Sequence, residues 1–327
     1  MNKQYTFNCN TSDLIEHIKN WIYSPELKEI VQAFDGCFPS SLSTLRDHAQ
    51  WLLTFSERWD YRSLQKQAHD KRTGENARWQ IKSSDITVPQ KEALTAGIYP
   101  LGLIGIEMPS INDFDYIIAL GGARFSCLYR PKYVYNLLYS CGIKAKAVVL
   151  LSGMRPVSDS ERAATDTYAP HANTEYDLIN SGAEQTFNLS KNYREEIYRN
   201  ENPNKGWAVR TYDITSDMIP VYSVSGPSSE PEKRRANSAD TYKFFLDRYN
   251  VRKGQKLLLV TSQIYVPYQQ LEALRTLALP RNLYIETVGF PVEWAGKMQG
   301  MMEPANYLQE IRSTIQAINR YLDAVDY

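Results

Sequence analysis

The sequence predicts an α/β protein: a parallel sheet with flanking helices, preceded by an amino-terminal helical addition. Two stretches carry the sheet. From Asp115 to Arg155 an apolar run (Tyr116 to Leu120), a glycine turn (Gly121, Gly122), a helical period and a second apolar run (about Ala145 to Leu151) closed by Ser152-Gly153 read as a βαβ unit. Both runs are short, rich in Ile, Val and Leu, and without polar alternation, as parallel strands covered on both faces are. Leu257 to Val260, followed by a helix from about Pro267 to Leu277, reads as a second βα unit. The third observation is that apolar residues before residue 110 recur at helical spacing. The expected division is therefore 1–110, helical, and 111–327, built on the sheet.

Taken in order, Leu14, Ile15, Ile18, Trp21 and Ile22 form one stripe behind the caps Thr11 and Ser12, and Leu45, Trp51, Leu52, Phe55 and Trp59 form another. Tyr61 to Gln80 turns polar and charged, as a solvated helix does, or a loop over the site. Pro89 to Pro109 gives a helix and then turns. In the βαβ unit the helix spans about Pro131 to Cys141, with proline in its first turn and Gly142 just past its end. The stretch after Arg155 has no apolar period and reads as a loop on the ligand side. Glu175 to Ile179 reads as a helix with a turn at Ser181-Gly182, Trp207 to Asp213 as a third strand, and the stretch from Ser223 as a Ser/Gly/Pro loop. An amphipathic helix follows with Tyr242, Phe245, Leu246 and Tyr249. Leu283 to Val288 makes a further strand. Leu308, Ile311, Ile315, Ile318 and Leu322 mark a docked terminal helix.

Formal net charge is zero, with 37 basic and 37 acidic residues among 327, so the electrostatic footprint of a nucleic-acid binder is missing. No run reaches the roughly 18 apolar residues of a membrane helix, and the amino terminus lacks the apolar core of a secretory signal. A cytoplasmic protein without nucleic-acid or membrane partners is expected. Cys9, Cys37, Cys127 and Cys141 form no CxxC pair and read as reduced, mostly buried thiols. The four histidines, His17, His48, His69 and His171, show no metal-ligand spacing. Magnesium remains open only as an ion riding on a phosphate ligand.

In open parallel sheets ligands bind beyond the carboxyl ends of the strands, which directs attention to Gly121 to Arg124 and Ser152 to Arg155. Glycine lets the chain approach a ligand closely, and a helix amino end favours negative charge; a plain tight turn is the alternative. GGARFS lacks the GxGxxG spacing, and the second strand ends without the acidic residue that would hold a ribose, so an NAD dehydrogenase is disfavoured. Arg124, Arg130 and Arg155 are placed to hold phosphate or carboxylate, against the alternative of surface ion pairs. Lys233-Arg234-Arg235 reads as solvated. Glu175 and Asp240 are the carboxylates for proton or ribose work, although Glu175 also suits a helix start. Ser152, Thr261 and Ser262 offer hydroxyls, and no GxSxG elbow accompanies them. His171 reads as an exposed loop residue. Tyr265 and Tyr268 are placed to stack on a base or to pack.

The order LGG, LLSG with Arg155, TEYDLINSG, NSADT, LLVTS-QIYVP and a strand ending GFP resembles the YdcF/SanA/ElyC-like family (domain of unknown function 218) over about residues 113 to 322. On that resemblance Gly121-Gly122, Ser152-Gly153, Glu175, Asn237 to Thr241 and Val260 to Ser262 fall on the family's motifs. It implies a Rossmann-like fold that binds a nucleoside ligand, S-adenosylmethionine being the ligand of a cytosolic branch. Tyr265 and Tyr268 stand where the family has His and Arg, and the segment from Asn237 departs from its Asn-Thr-x-Glu-Asn pattern. The resulting expectation is a nucleotide- or nucleoside-dependent enzyme for group transfer, with Glu175, Asp240 and Arg155 catalytic. Gly121, Gly122, Arg124, Arg130, Ser152, Gly153, Asn237, Thr261, Ser262 and Tyr265 would bind the ligand. The alternative is a non-catalytic ligand sensor on the same fold.

Overall fold

The computed structural model describes the chain apart from residues 1, 2, 9, 62–82, 84, 190, 191, 214–218 and 296–301. Cys9, His69 and nearly all of the polar stretch from Tyr61 to Gln80 therefore lie outside the described residues. The chain divides into two compact units: Met1–Ile106 with Gln263–Arg275 and Gly300–Tyr327, and Glu107–Ser262 with Thr276–Gln299.

The first unit opens with α1 (Leu14–Ile22), α2 (Pro25–Ala33), α3 (Leu45–Phe55) and α4 (Val88–Ile98). Leu14, Ile18, Trp21 and Ile22 are buried, the expected stripe. The Ser24 hydroxyl accepts from the Leu27 amide and Pro25 occupies the first turn of α2, so its start is fixed by local chemistry.

The second unit follows with β1 (Asp113–Leu120), α5 (Ser126–Tyr139), β2 (Lys144–Leu151), α6 (Asp159–Thr165), α7 (Glu175–Phe187), β3 (Tyr193–Tyr198), β4 (Trp207–Tyr212), β5 (Val221–Ser225), α8 (Ser238–Arg248) and β6 (Lys256–Ser262). The chain then enters the first unit as α9 (Val266–Ala273), returns as β7 (Tyr284–Phe290) and ends in the first unit as α10 (Pro304–Ala324). Within the first unit α10 packs on α3, α4 and α9. Its buried polar residues are anchored there: Arg312 donates to the Leu53 carbonyl and the Ser56 hydroxyl, and Asn319 to the Ala49 carbonyl.

The sheet has the order β3-β4-β5-β2-β1-β6-β7. β5, β2, β1, β6 and β7 are parallel, and β4 runs antiparallel to both β3 and β5. The α/β class with a mostly parallel sheet flanked by helices is thus as the sequence predicts. β1 is central: Ile118 faces Val149 on one side and Leu259 on the other. Ile117, Ile118, Val148, Val149, Leu258 and Leu259 are wholly buried, each worth about 1.5–3 kcal/mol of apolar transfer. α5 covers β1, β2, β6 and β7, while α7 lies on β2 and β5.

Several elements depart from expectation. α5 begins five residues before Pro131, which sits inside the helix. The Cys127 carbonyl, to which Pro131 has no amide to donate, lies against the Cα of Gly182. α7 continues through Ser181-Gly182 to Phe187 because that glycine is where α5 and α7 touch, so no turn forms there. The stretch after Arg155 contains α6, and Val221–Ser225 is a strand where a loop was expected. Cys37 and Cys141 are exposed and Cys127 buried, so the described thiols are not mostly buried. No helix among the described residues is long and apolar enough to cross a membrane.

Candidate functional site

Strand order reverses about β1, with β2 leading to one side and β6 to the other, so the topological switch point of the parallel strands lies between β1 and β6. At the carboxyl edge β1 ends in Gly121-Gly122, β2 in Ser152-Gly153, β5 in Ser225 and β6 in Thr261-Ser262. The two glycines are set by space. A Cβ at Gly121 would stand 2.7 Å from that of Ser152 and overlap the Glu175 carboxylate; one at Gly122 would stand 2.9 Å from the Ser126 Cβ and 3.0 Å from Arg130 Nη1. Neither has a positive φ; it is Arg124 that takes the left-handed turn, at φ 52°.

Arg130, on the second turn of α5, is only 4% exposed. Its Nη1 donates to the Leu120 carbonyl (2.8 Å) and to that of Gly121, and its Nη2 to the Ser262 hydroxyl (3.2 Å). The guanidinium therefore ties the end of β1 to the end of β6 across the switch point.

Arg155 lies between two carboxylates. Its Nη1 and Nη2 fork onto Glu161 at 2.6 and 3.0 Å, and its Nε reaches Glu175 at 3.2 Å. Glu161 has no exposed surface and also accepts from the Ser158 amide and hydroxyl and from the Arg124 amide. Burial alone would raise its carboxyl; the donors from Arg155 and Ser158 outweigh burial and hold it below its ordinary value. Burial likewise works against the Arg155 charge, and the two carboxylates more than compensate. Glu161 was not among the sequence candidates, although Ser158-x-x-Glu161 is a capping-box signature.

Glu175 opens α7, where Thr174 and Asp177 close a second capping box. Its amide donates to the Arg155 carbonyl (2.8 Å), and its Oε1 lies 3.5 Å from the Gly153 amide. The acid that β2 lacks in sequence is thus supplied to its end by α7. Cys127 donates to the Gly122 carbonyl (3.0 Å), and burial with Glu175 nearby pushes its thiol up to about 12. Three hydroxyls of this edge, Ser152 Oγ, Ser225 Oγ and Thr261 Oγ1, are buried without a hydrogen-bond partner among the described residues.

The remaining candidates lie apart from this network. Asn237 caps α8 and Asp240 completes its capping box, accepting also from the Ser229 amide and from Arg234. Burial raises the Asp240 carboxyl, and Arg234, Ser229 and Asn237 pull it below its ordinary value. Lys233 and Arg235 are exposed, as expected, Lys233 meeting Glu230 at the surface, while Arg234 is half-buried between Glu230 and Asp240. Tyr265 and Tyr268 belong to the other compact unit, and His171 is exposed. No cluster of three metal-ligating side chains occurs among the described residues. A shallow basic depression of about 510 Å³, lined by Arg252, Lys253 and Arg281 among others, precedes β6 and β7 at their amino ends, away from the carboxyl edge.

Fold and site together define an α/β protein whose mostly parallel sheet carries a Glu-Arg-Glu network at its carboxyl edge, with Glu161 buried and Arg155 and Glu175 half-buried. Residues 7–102 match the family model described as Rv3785 N-terminal domain. Over 327 aligned residues the chain is 33% identical to uncharacterized protein Rv3785 of Mycobacterium tuberculosis and to uncharacterized protein Mb3814 of Mycobacterium bovis, covering 94% of this chain and 88% of each relative. The chain belongs to the Rv3785 family. No solved structure matches it. This corrects the resemblance to the YdcF/SanA/ElyC-like family. The similarity to Rv3785 runs through nearly the whole chain, including the first hundred residues that the short motifs left out. In the structure the motif-like segment at Asn237 is a helix cap, a pattern that recurs wherever a helix needs starting.

Proposed function

We propose that the carboxyl edge of the sheet binds a small polar ligand of nucleotide or nucleoside type, and that the protein is a cytoplasmic group-transfer enzyme working with it. The observation that carries this reading is the orphaned Ser152 hydroxyl beside Gly121, with the Glu175 carboxylate held over the same glycine. A buried hydroxyl without a partner costs about 1–3 kcal/mol, and a ligand hydroxyl or ring nitrogen at this edge relieves that cost. Glu175 accepts hydrogen bonds from ligand hydroxyls or takes a proton from them, and Arg155, 3.2 Å away, places positive charge next to it. The amino end of α5, directly after the glycines, favours an anionic group. The strand order about β1 supports the Rossmann-like reading of the sheet. S-adenosylmethionine and simple nucleotides are the ligands of first choice; magnesium would enter with a nucleotide phosphate.

A second reading, a non-catalytic ligand sensor, is favoured by one feature: each nitrogen of the Arg155 guanidinium is already engaged by a protein oxygen. Thermal-shift titration with S-adenosylmethionine, S-adenosylhomocysteine, ATP, ADP and AMP, with and without magnesium, tests both. A ligand at 100 times its Kd stabilises by about 2.7 kcal/mol. Ser152→Ala is expected to raise the ligand-free midpoint, because it removes an unsatisfied buried hydroxyl, and to weaken binding by about 1 kcal/mol. Absence of a shift with every adenosine compound removes the nucleoside reading. A shift without turnover of the bound compound favours the sensor.

A further inference from the structure

β3 is one of the two edge strands of the sheet, and among the described residues it pairs only with β4. Five of its six residues are exposed, and Tyr193, Ile197 and Tyr198 keep 37%, 43% and 46% of their surface. Exposed edges are normally protected by charged side chains, lysine above all, by proline or by a bulge. YREEIY has no lysine or proline, its three charges are of both signs, and its ladder with β4 runs unbroken over all six positions.

The side chains of this edge complement themselves. On one face Glu195 pairs with Arg210, whose guanidinium also lies 3.8 Å over the Tyr193 ring. On the other face Glu196 meets Arg248, while Arg194 has no ion-pair partner among the described residues. We propose that β3 pairs antiparallel with β3 of a second copy of this chain, about a twofold axis at Glu195, joining two sheets edge to edge.

Register follows from backbone geometry. Successive residues turn their N–H and C=O groups to opposite edges, so a strand pairs with its own copy only where odd residues face odd and even face even. Centring on Glu195 sets Tyr193 opposite Ile197 of the second copy and Arg194 opposite Glu196 of the second copy, each twice. The two Glu195 residues then meet at the axis, each already neutralised by its own Arg210. Centring on Arg194 instead opposes two arginines, and centring on either Arg194 or Glu196 removes the Arg194–Glu196 pairing and leaves Tyr193 or Ile197 facing a carboxylate, which disfavours those registers. A formal net charge of zero puts no long-range repulsion in the way of association.

Sedimentation velocity of the full chain over a concentration series tests the proposal. A concentration-dependent dimer is expected. Arg194→Glu and Glu196→Lys, both at exposed positions, should each weaken it about tenfold, since each opposes like charges twice. An equimolar mixture of the two variants should associate again, because both pairs between positions 194 and 196 in the mixed dimer are then of opposite sign. A monomer at every concentration overturns the proposal and leaves the edge to a strand of another chain. A dimer indifferent to Arg194→Glu, or no recovery in the mixture, overturns the assigned register.

Discussion

Gly121 and Gly122 hold their positions because of what stands beside them. A sequence shows the glycine pair but not the reason for it, which comes from Ser152, Ser126 and the carboxylate of Glu175. The same limit explains Glu161. Its capping pattern was readable, yet only the fold brings Arg155 onto it and buries the carboxylate. Arg130 looks like an anion clamp in the sequence; in the structure its donors serve the carbonyls where β1 ends. Cys127 gives a test at this scale. With no exposed surface and a thiol pushed up to about 12, it should resist alkylation in the native protein at neutral pH, whereas the exposed Cys37 and Cys141 react. Peptide mapping after native labelling checks this, and rapid labelling of Cys127 would show that its surroundings open readily.

Elements were legible where their burial is written in apolar side chains. β1, β2 and β6 are continuous apolar runs and were found; β3 escaped because an exposed edge strand of sequence YREEIY carries no apolar signal. β5 escaped because its serines suggested a loop, whereas Ser223 and Ser225 are buried within the sheet. The start of α5 was misplaced because proline usually opens helices, and here the carbonyl it leaves unpaired meets Gly182. Helix starts, by contrast, rest on local hydrogen bonds that sequence does show. Asn237 accepts from the Asp240 amide at 3.1 Å, so Asn237→Ala should cost about 1 kcal/mol in urea unfolding, read as a lower midpoint with an unchanged slope.

For the whole molecule, buried paired carboxylates set the response to acid. Glu161 and Asp240 titrate below their ordinary values of 4.5 and 3.8, so their stabilisation is complete above those values and is lost as pH falls through the lower folded ones. Urea midpoints should be level near neutrality and decline below about pH 4.5. Glu161→Gln removes a wholly buried carboxylate from a half-buried Arg155 that keeps Glu175, and should cost at most about 3 kcal/mol at neutral pH, with a shallower acid decline. Equal steepness in variant and parent would remove Glu161 from the acid response.

The helical unit is assembled from three separate lengths of chain, and its last component, α10, begins about 200 residues after α4 ends. On a ribosome working at about 5–20 residues per second, α1 to α4 emerge and then wait roughly 10–40 s for the helix that packs on them. The strands of the sheet are all made within that interval. The usual order of synthesis is therefore inverted: the amino-terminal unit closes last, and a nascent chain halted before α10 holds every strand of the sheet while its amino-terminal helices still lack the helix that packs on them.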